Sequence, residues 1–367
     1  MNRSLPSVAV VGATGAVGRE MLAVLEQRAF PHGSIKALAS PKSAGQTLPY
    51  RGSGVGVEAL TPESLRGVDI ALFSAGGSIS RQFAPAAANA GTIVIDNSSA
   101  FRMTRGIPLV IPEVNAGAMH LLTQAFHMAR AKDHEPIGGI IANPNCSAII
   151  MLVALNPLRH AFGIEQVIVS TYQAASGAGA KGMDELQDQT RAWAAGQPVS
   201  PSFFHEPYAF NLFSHNTAVD ADTGLNVEEQ KMIEETRKIW DDDRVRISPT
   251  CIRVPVLRAH SESIHVTLGK PATVAEMRAA LEAAPGVKVL DDRANNRFPT
   301  PLKASGGDDV LVGRIRPDPA GPEEPSTFGE QSRGKHRSFN LFVCGDQLRK
   351  GAALNAVQIA EQFVVKA

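Results

Sequence analysis

The chain has 367 residues, which suggests two domains at roughly 150 residues each. Its 44% hydrophobic and 20% charged residues are typical of globular proteins and exclude wholesale disorder. Lysine and arginine together number 36, as do aspartate and glutamate, so the chain has no net charge to attract nucleic acid or an anionic membrane. The expected partner is therefore a small molecule, with no nucleic acid and no membrane.

No segment has the pattern of a membrane span, a targeting sequence or a metal site. The longest apolar run, residues 148–155, is far shorter than the ~20 residues of a spanning helix. The first residues lead directly into a strand pattern, which leaves no room for a signal peptide and favours a cytoplasmic location. Three widely separated cysteines predict neither a disulfide framework nor a metal site. Histidines 120, 127 and 134 repeat every seven residues, ~10.5 Å apart along a helix, too far to share one metal ion.

The first part of the chain alternates strand and helix patterns. We predict helices over residues 18–27 and 80–90, and strands over residues 8–11, 35–39, 69–74, 92–96 and 138–142. This alternation is typical of a parallel sheet with helices on both faces. Residues 1–145 are therefore predicted to form a Rossmann-type, doubly wound α/β domain.

The second part has a different pattern. A long apolar helix is predicted over residues 148–158, and β-branched segments over residues 166–172, 246–256 and 263–268 alternate with long helices and loops. This predicts an α+β domain with a mixed or antiparallel sheet over residues 146–345. Residues 316–335, rich in proline, glycine and charge, predict a surface loop. A helical pattern over residues 348–365 is placed back on the first domain, together with the rest of residues 346–367.

A glycine-rich turn follows the first strand. Gly12-Ala-Thr-Gly15-Ala-Val-Gly18 spaces three glycines three residues apart before a helix. Such a turn brings backbone N–H groups and a helix N-terminus to a pyrophosphate, which favours dinucleotide binding over an ordinary tight turn. The predicted contacts come from Gly12, Thr14, Gly15, Ala16, Val17 and Gly18.

The second strand ends where an NAD enzyme usually has an acidic residue for the ribose 2′-hydroxyl. The segment here is Ser40-Pro-Lys42-Ser43, with hydroxyls and a lysine but no carboxylate. These groups suit a 2′-phosphate, so we predict that Ser40 and Ser43 contact NADP. A polar loop that contacts no cofactor is the alternative.

Cys146 lies in Asn143-Pro-Asn-Cys146-Ser, between a predicted strand and the apolar helix. A helix N-terminus favours an anion and lowers the pKa of a thiol. The same N–H groups can stabilise the oxyanion formed when a thiolate attacks a carbonyl. Cys146 is therefore the candidate nucleophile. Cys251 and Cys344, inside apolar segments, fit the ordinary interpretation of inert buried cysteines.

The segment Arg253-Val-Pro-Val-Leu-Arg258-Ala-His260-Ser-Glu262 places two arginines and a histidine between two strands. A histidine near the thiol can exchange its proton, and arginine binds carboxylate or phosphate bidentately. On its own, the segment is better explained as an exposed charged edge; beside a nucleotide-binding domain and a candidate nucleophile, it becomes a candidate for acid/base and substrate-binding roles. Glu228 and Lys231, three apart at the start of a predicted helix, fit either a solvated helix face or a pair that holds a substrate ammonium and a phosphate.

Together these motifs resemble those of the aspartate-semialdehyde dehydrogenase family. Seven pieces match in order along the whole chain: residues 12–18, 98–103, 143–147, 170–179, 226–231, 253–262 and 346–355. The resemblance implies that NADPH reduces β-aspartyl phosphate to aspartate semialdehyde and phosphate through a cysteine thioester, on the route to lysine, threonine and methionine. It also implies a homodimer formed by the second domain.

The resemblance assigns roles to individual residues. Cys146 matches the nucleophile and His260 the acid/base. Gln173 matches a residue that orients the substrate, and Asn145 precedes the cysteine as in the family. The remaining assignments are Arg253 and Glu228 for the substrate carboxylate and amino group, Arg102 and Lys231 for phosphate, and Ser176, Gly177 and Gln347 for the cofactor.

Two other interpretations stay open at this point. Another phosphorylating aldehyde dehydrogenase, such as N-acetyl-glutamyl-phosphate reductase or the glyceraldehyde-phosphate enzyme, shares the two-domain plan. A catalytically silent relative that binds NADP would be expected to have lost the cysteine or the histidine, and both are present here.

Overall fold

The computed structural model describes residues 5–132, 137–321 and 334–364, and it divides the chain into two compact units. Unit 1 runs to Asn145 and resumes at Gly351, and unit 2 extends from Cys146 to Lys350. The return to unit 1 comes later than the predicted residue 346, because the turn after the last strand of unit 2 stays with that unit.

In its described residues, unit 1 has a seven-stranded sheet in the order β3-β4-β2-β1-β5-β6-β7. Only β3 and β4 are antiparallel neighbours; the other adjacent pairs are parallel. The elements of this unit, with α10 following unit 2 in the chain, are β1 (Ser7–Val11), α1 (Ala16–Gln27), β2 (Ser34–Ala39), β3 (Thr47–Tyr50), β4 (Ser53–Ala59), β5 (Ile70–Phe73), α2 (Gly77–Asn89), β6 (Ile93–Asp96), α3 (Pro112–Asn115), α4 (His120–Lys132), β7 (Gly139–Ala142) and α10 (Leu354–Glu361).

Helices cover both faces of this sheet. Met21 of α1 and Val357 of α10 belong to the apolar core on one face, and Ala84 of α2 belongs to the core on the other. The Rossmann-type, doubly wound prediction is confirmed, and all five predicted strands are present with slightly shifted ends. The β3–β4 hairpin and the helices α3 and α4 were not predicted.

Unit 2 also has a seven-stranded sheet in its described residues, in the order β12-β13-β14-β11-β8-β10-β9. Its centre is antiparallel, while β8 with β10 and β12 with β13 are parallel, which confirms the predicted mixed sheet. The elements are α5 (Cys146–Phe162), β8 (Ile164–Gln173), α6 (Gly179–Ala194), β9 (Phe213–Ser214), α7 (Val227–Trp240), β10 (Arg246–Arg253), β11 (His260–Ala272), α8 (Val274–Glu282), β12 (Val287–Val289), α9 (Pro301–Ala304), β13 (Val310–Pro317) and β14 (His336–Gly345).

Helix α5 organises the core of unit 2. It packs across β8, β11 and β14 and against α7 and α8. Residues 148–155 are fully buried, which explains why the longest apolar run of the chain lies here. The helix begins at Cys146 and continues past Pro157 to Phe162, so it is longer at both ends than predicted.

Two predictions need correction. Arg316 and Pro317 belong to β13, so the segment predicted as a loop begins as a strand. Pro317 is the last residue of that strand and follows an irregularity in its pairing with β14, a place where proline is tolerated. Residues 322–333 and His134 lie outside the described residues. The helix predicted over residues 348–365 is shorter: a π-helical turn at Arg349–Ala353 leads into α10, which packs against α1 of unit 1 as expected.

Candidate active site

The glycine turn of unit 1 joins the carboxyl end of β1 to the start of α1. Gly12 has a φ of +82°, and a Cβ there would lie 2.4 Å from the Ser74 carbonyl oxygen. At Gly18 a Cβ would lie 2.1 Å from the Gly12 carbonyl oxygen. Helix α1 has no side-chain cap, so its first N–H groups are available to an anion. The turn therefore requires glycine and has the form of a pyrophosphate cradle.

The other predicted residues of unit 1 lie in three places. Ser40 is exposed at the end of β2, and Lys42 and Ser43 follow in a short 3-10 turn. Arg102 is buried, and its guanidinium donates to the carbonyl oxygens of Asn143 and Asn97 at 2.9 and 3.1 Å. Asn145 is buried at the end of the unit.

In unit 2, Cys146 is the first residue of α5, and His260 is the first residue of β11. The Sγ atom of Cys146 lies 3.5 Å from Nε2 of His260. The histidine is fully buried, whereas the cysteine is half-buried. A sulfur at a helix N-terminus beside an imidazole has the arrangement of a cysteine nucleophile with a histidine partner.

The tautomer of His260 follows from its other neighbour. The Ala174 N–H donates to Nδ1 at 3.0 Å, so the neutral ring carries its proton on Nε2, the atom that faces the sulfur. Burial, and secondarily the Arg253 charge, lower the pKa of His260 to about 3. His260 is therefore neutral near pH 7 and presents an N–H to the Cys146 sulfur.

Gln173 ends β8 beside this pair. Its Nε2 donates to Ser147 Oγ at 2.6 Å and to Glu228 Oε1 at 3.1 Å, which fixes the orientation of the amide. Its Oε1 is buried and has no hydrogen-bond partner among the described residues. A buried acceptor held in one direction is suited to a hydrogen bond from a bound substrate.

Glu228 lies in the first turn of α7 and is buried, which rules out the solvated helix face as its environment. Its Oε2 pairs with Lys231 Nζ at 3.3 Å, with side-chain exposures of 7% for the glutamate and 26% for the lysine. The unequal exposure places the carboxylate inside the site and the ammonium at its margin.

Arg253 ends β10 and is 4% exposed. Its Nε donates to Asn216 Oδ1 at 3.3 Å, Nη1 to the Ala174 carbonyl at 3.0 Å, and Nη2 to His215 Nε2 at 2.8 Å. Because a guanidinium has five N–H groups, one N–H on each terminal nitrogen has no partner among the described residues. This pair is suited to bidentate binding of a carboxylate.

The three predicted cofactor residues of unit 2 lie close to the histidine. Gln347 Oε1 accepts from the Ala259 N–H at 2.9 Å, and its Nε2 donates to Ser176 Oγ. A Cβ on Gly177 would lie 2.8 Å from Cε1 of His260. Only glycine fits between this loop and the ring, so the loop and His260 are held in one arrangement.

Several residues of this site were not predicted from the sequence: Ser147, Ala174, His215, Asn216 and Thr217. Ser147 follows the cysteine, and a polar His215-Asn216 pair after an apolar segment was a weak signal. Cys251 and Cys344 are buried; Cys251 Sγ lies 3.7 Å from Met232 Sδ. Burial raises the pKa of Cys251 above its usual range and that of Cys344 to about 12.

Within the described residues, no group of three histidine, cysteine or acidic side chains could hold a metal ion, and no helix is long and apolar enough to cross a bilayer.

Comparison with known proteins first defines the class. Residues 7–122 match the family model for the semialdehyde dehydrogenase NAD binding domain, and residues 155–350 match that for the semialdehyde dehydrogenase dimerisation domain. The chain is thus a two-domain oxidoreductase with an NAD(P)-binding domain.

Individual relatives narrow the class. Aspartate-semialdehyde dehydrogenases from Synechocystis and Aquifex aeolicus are 46% and 47% identical, with 97% of each chain covered. The crystal structure of aspartate semialdehyde dehydrogenase II complexed with ASA from Vibrio cholerae is 42% identical, covers 98% of both chains and has a TM-score of 0.86. The chain belongs to the aspartate-semialdehyde dehydrogenase family, which confirms the resemblance drawn from the motifs rather than the related aldehyde dehydrogenases.

Proposed function

We propose that this protein catalyses the NADPH-dependent reductive dephosphorylation of β-aspartyl phosphate to aspartate semialdehyde. The reaction would supply the biosynthesis of lysine, threonine and methionine. The observation that carries the proposal is the placement of Cys146 at the N-terminus of α5 with its sulfur 3.5 Å from the neutral His260 ring.

The first chemical step is attack of the Cys146 thiolate on the acyl carbon. A C–S bond forms, the C–O bond to phosphate breaks, and the departing phosphate takes up one proton. The N–H groups at the start of α5 are positioned to stabilise the oxyanion that develops during the attack. The product is a thioester on Cys146, whose carbonyl is electrophilic enough to accept a hydride.

We assign His260 as the acid/base of this sequence. An imidazolium has an N–H on both nitrogens, so the hydrogen bond from Ala174 to Nδ1 favours the neutral ring at rest. In that form Nε2–H stabilises the thiolate. The negative charge of a bound acyl phosphate favours the protonated ring, so the ring takes up the proton released when the Cys146 thiol ionises and then gives one proton to the departing phosphate.

The charged groups of the proposed substrate match the polar groups of the site. Arg253, with one uncommitted N–H on each terminal nitrogen, binds the α-carboxylate, and the buried Glu228 binds the amino group. Gln173 orients the substrate through its buried Oε1, which can accept from the substrate ammonium. Arg102 and Lys231 are assigned to the phosphate, and Asn145 to the substrate beside the cysteine.

The residues present fit a dinucleotide, because the turn at Gly12 and Gly18 leaves no room for side chains and opens onto an uncapped helix. Gly12, Thr14, Gly15, Ala16, Val17 and Gly18 would hold its pyrophosphate, and Ser176, Gly177 and Gln347 would contact the nicotinamide side. Ser40, Lys42 and Ser43 favour NADP over NAD, because their hydroxyls and positive charge suit a 2′-phosphate. When bound, NADPH supplies the hydride.

We further propose a homodimer through the sheet of unit 2. Val167, Val169 and Thr171 are buried on β8, whereas Ile168, which points to the opposite face, is 44% exposed. A second copy covering that face would agree with the family description of a dimerisation domain. A scattering mass equal to one chain at micromolar concentration would contradict this.

The proposal includes a cytoplasmic location. A nucleophilic thiol has to stay reduced, and the cytosol keeps thiols in that state.

The decisive experiment runs the reaction in reverse. Aspartate semialdehyde, phosphate and NADP are supplied, and NADPH formation is followed by absorbance with and without phosphate. We expect turnover only when phosphate is present, because phosphate releases the acyl group from Cys146. Absence of phosphate-dependent turnover would reject the proposed function.

A further inference from the structure

His215 is a buried histidine that belongs to none of the motifs, and it lies between two proposed substrate-binding groups. It follows β9, is 7% exposed, and its backbone N–H donates to the Cys251 carbonyl at 2.9 Å. Its backbone is therefore fixed to β10, the strand that ends at Arg253.

The hydrogen bonds of His215 fix its tautomer. An arginine can only donate, so Nε2 of His215 accepts from Arg253 Nη2 at 2.8 Å. The proton of the neutral ring is then on Nδ1, which donates to Thr217 Oγ1 at 3.2 Å. Burial, and secondarily the Arg253 charge, lower the pKa of His215 to about 4, so the ring accepts from Arg253 near neutral pH.

Thr217 extends this chain of hydrogen bonds to the second substrate-binding group. Its Oγ1 also accepts from the Glu228 N–H at 3.3 Å, at the beginning of α7. A continuous path therefore runs from the Arg253 guanidinium through His215 and Thr217 to the backbone of Glu228.

We propose that His215 is a positioning residue for the substrate's α-amino-acid head group. It holds Arg253 so that the two uncommitted N–H groups face the carboxylate, and it ties that arginine to Glu228, which binds the amino group. This inference rests on the roles proposed above for Arg253 and Glu228. His215 does not touch the reacting atoms, so it sets recognition of the head group rather than the chemistry at Cys146.

Three variants distinguish the hydrogen bond that His215 accepts from Arg253 from the one that it donates to Thr217. In His215→Gln the amide oxygen replaces Nε2 as the acceptor for Arg253. In His215→Asn the shorter amide replaces Nδ1 as the donor to Thr217 and leaves Arg253 without that acceptor. His215→Leu removes both bonds. His205→Gln, at an exposed histidine in the connection before β9, is the matched control.

The measurements are KM for aspartate semialdehyde and kcat in the phosphate-dependent reverse reaction, and the rate at which iodoacetamide alkylates Cys146. Iodoacetamide carries no carboxylate or ammonium, so its rate reports the thiol and His260 alone. We expect His215→Leu to raise KM roughly 10- to 100-fold, the effect of one charge-assisted hydrogen bond, with kcat and alkylation much less affected. His215→Asn should resemble His215→Leu, and His215→Gln should recover most of the loss.

An unchanged KM in His215→Leu would overturn the inference. A rate of Cys146 alkylation that falls in parallel with kcat/KM would also overturn it, because such a result would show that His215 has only a general structural role. If His215→Leu does not fold, the KM values of His215→Gln and His215→Asn test the inference instead. A KM for His215→Gln that is as high as that of His215→Asn would overturn it. Wild-type protein without phosphate-dependent turnover would overturn both proposals, whereas normal wild-type turnover with an unaffected leucine variant overturns this one alone.

Discussion

Arg253 and His260 are joined through one residue: the Ala174 carbonyl accepts from Arg253 Nη1, and the Ala174 N–H donates to His260 Nδ1, each at 3.0 Å. The group proposed to bind the substrate carboxylate and the group that faces the nucleophile therefore share a single backbone support. A carboxylate that fixes the guanidinium also restrains the Ala174 segment, and hence the His260 ring beside Cys146.

Cys146 should be the thiol that reacts selectively in the native protein. Iodoacetamide near pH 7 is expected to modify Cys146 first, because Cys251 and Cys344 are buried and burial raises the pKa of both thiols. Peptide mapping after limited alkylation checks this order, and earlier modification of Cys251 would contradict it.

Replacement of the same sulfur tests the thioester. Cys146→Ser should lower phosphate-dependent turnover by roughly 10⁴-fold or more, the scale of removing a nucleophile, while NADP binding is retained. Cys251→Ser is the matched control, since Cys251 packs against Met232 and takes no part in the proposed chemistry. Turnover by Cys146→Ser at a rate near that of wild type would show that Cys146 is not the nucleophile.

Arg253 should determine capture of the substrate. Arg253→Lys keeps the positive charge but loses the planar fork that donates to Asn216, Ala174 and His215 at once. A lost contact in a buried charge pair costs about 2–5 kcal/mol, so kcat/KM for aspartate semialdehyde should fall by more than ~10-fold. Calorimetric titration with NADP provides the control, because the affinity for the cofactor should be preserved. An unchanged kcat/KM would remove Arg253 from the carboxylate site.

The parts of this site that could be predicted from the sequence lie next to a strand or helix that the residue pattern itself identifies. The turn at Gly12 lies between a strand and a helix that periodicity identifies, and Cys146 precedes an apolar run that only a buried helix explains. His215 could not be found in this way, because its contact with Arg253 depends on the pairing of β9 with β10 across 38 residues of chain. The β3–β4 hairpin was missed because glycine and proline obscure its alternation.

Glu262 should make stability depend on pH. Both of its carboxylate oxygens are buried without a partner among the described residues, and burial raises the pKa of Glu262 well above its usual value. The folded state keeps the proton that the unfolded state loses above about pH 4.5, so the free energy of unfolding should decrease as pH rises from there to the raised pKa. Glu262→Gln removes this titration. Its free energy of unfolding relative to wild type should therefore increase by about 1.4 kcal/mol per pH unit in that range.

Urea denaturation of both proteins at pH 5, 6, 7 and 8 measures this difference. Equal pH dependence of wild type and Glu262→Gln would show that the carboxyl group is solvated or paired in the folded protein.

The glycine turn offers a graded test of cofactor binding. A Cβ at Gly18 would meet the Gly12 carbonyl at 2.1 Å, whereas a Cβ at Gly15 would lie 3.3 Å from the same oxygen. Gly18→Ala should therefore displace backbone, weaken NADP binding and lower the melting temperature, and Gly15→Ala should have a smaller effect on both. Titration calorimetry and thermal denaturation of the two variants check this order. Equal affinity of Gly18→Ala and wild type for NADP would argue against a pyrophosphate at this turn.

Lys42 should distinguish the two dinucleotides. It is exposed in the turn after β2, where its positive charge could bind the 2′-phosphate of NADP. NAD has no phosphate at that position. An exposed charge contact is worth about 1 kcal/mol, so Lys42→Ala should weaken NADP binding roughly fivefold and leave NAD binding unchanged. Because the contact is solvent-exposed, the difference should shrink when salt is raised to about 1 M. Lys288→Ala, at an exposed lysine of β12, is the control for loss of one surface charge. An equal decrease in affinity for both cofactors, or none for either, would exclude Lys42 from recognition of the 2′-phosphate.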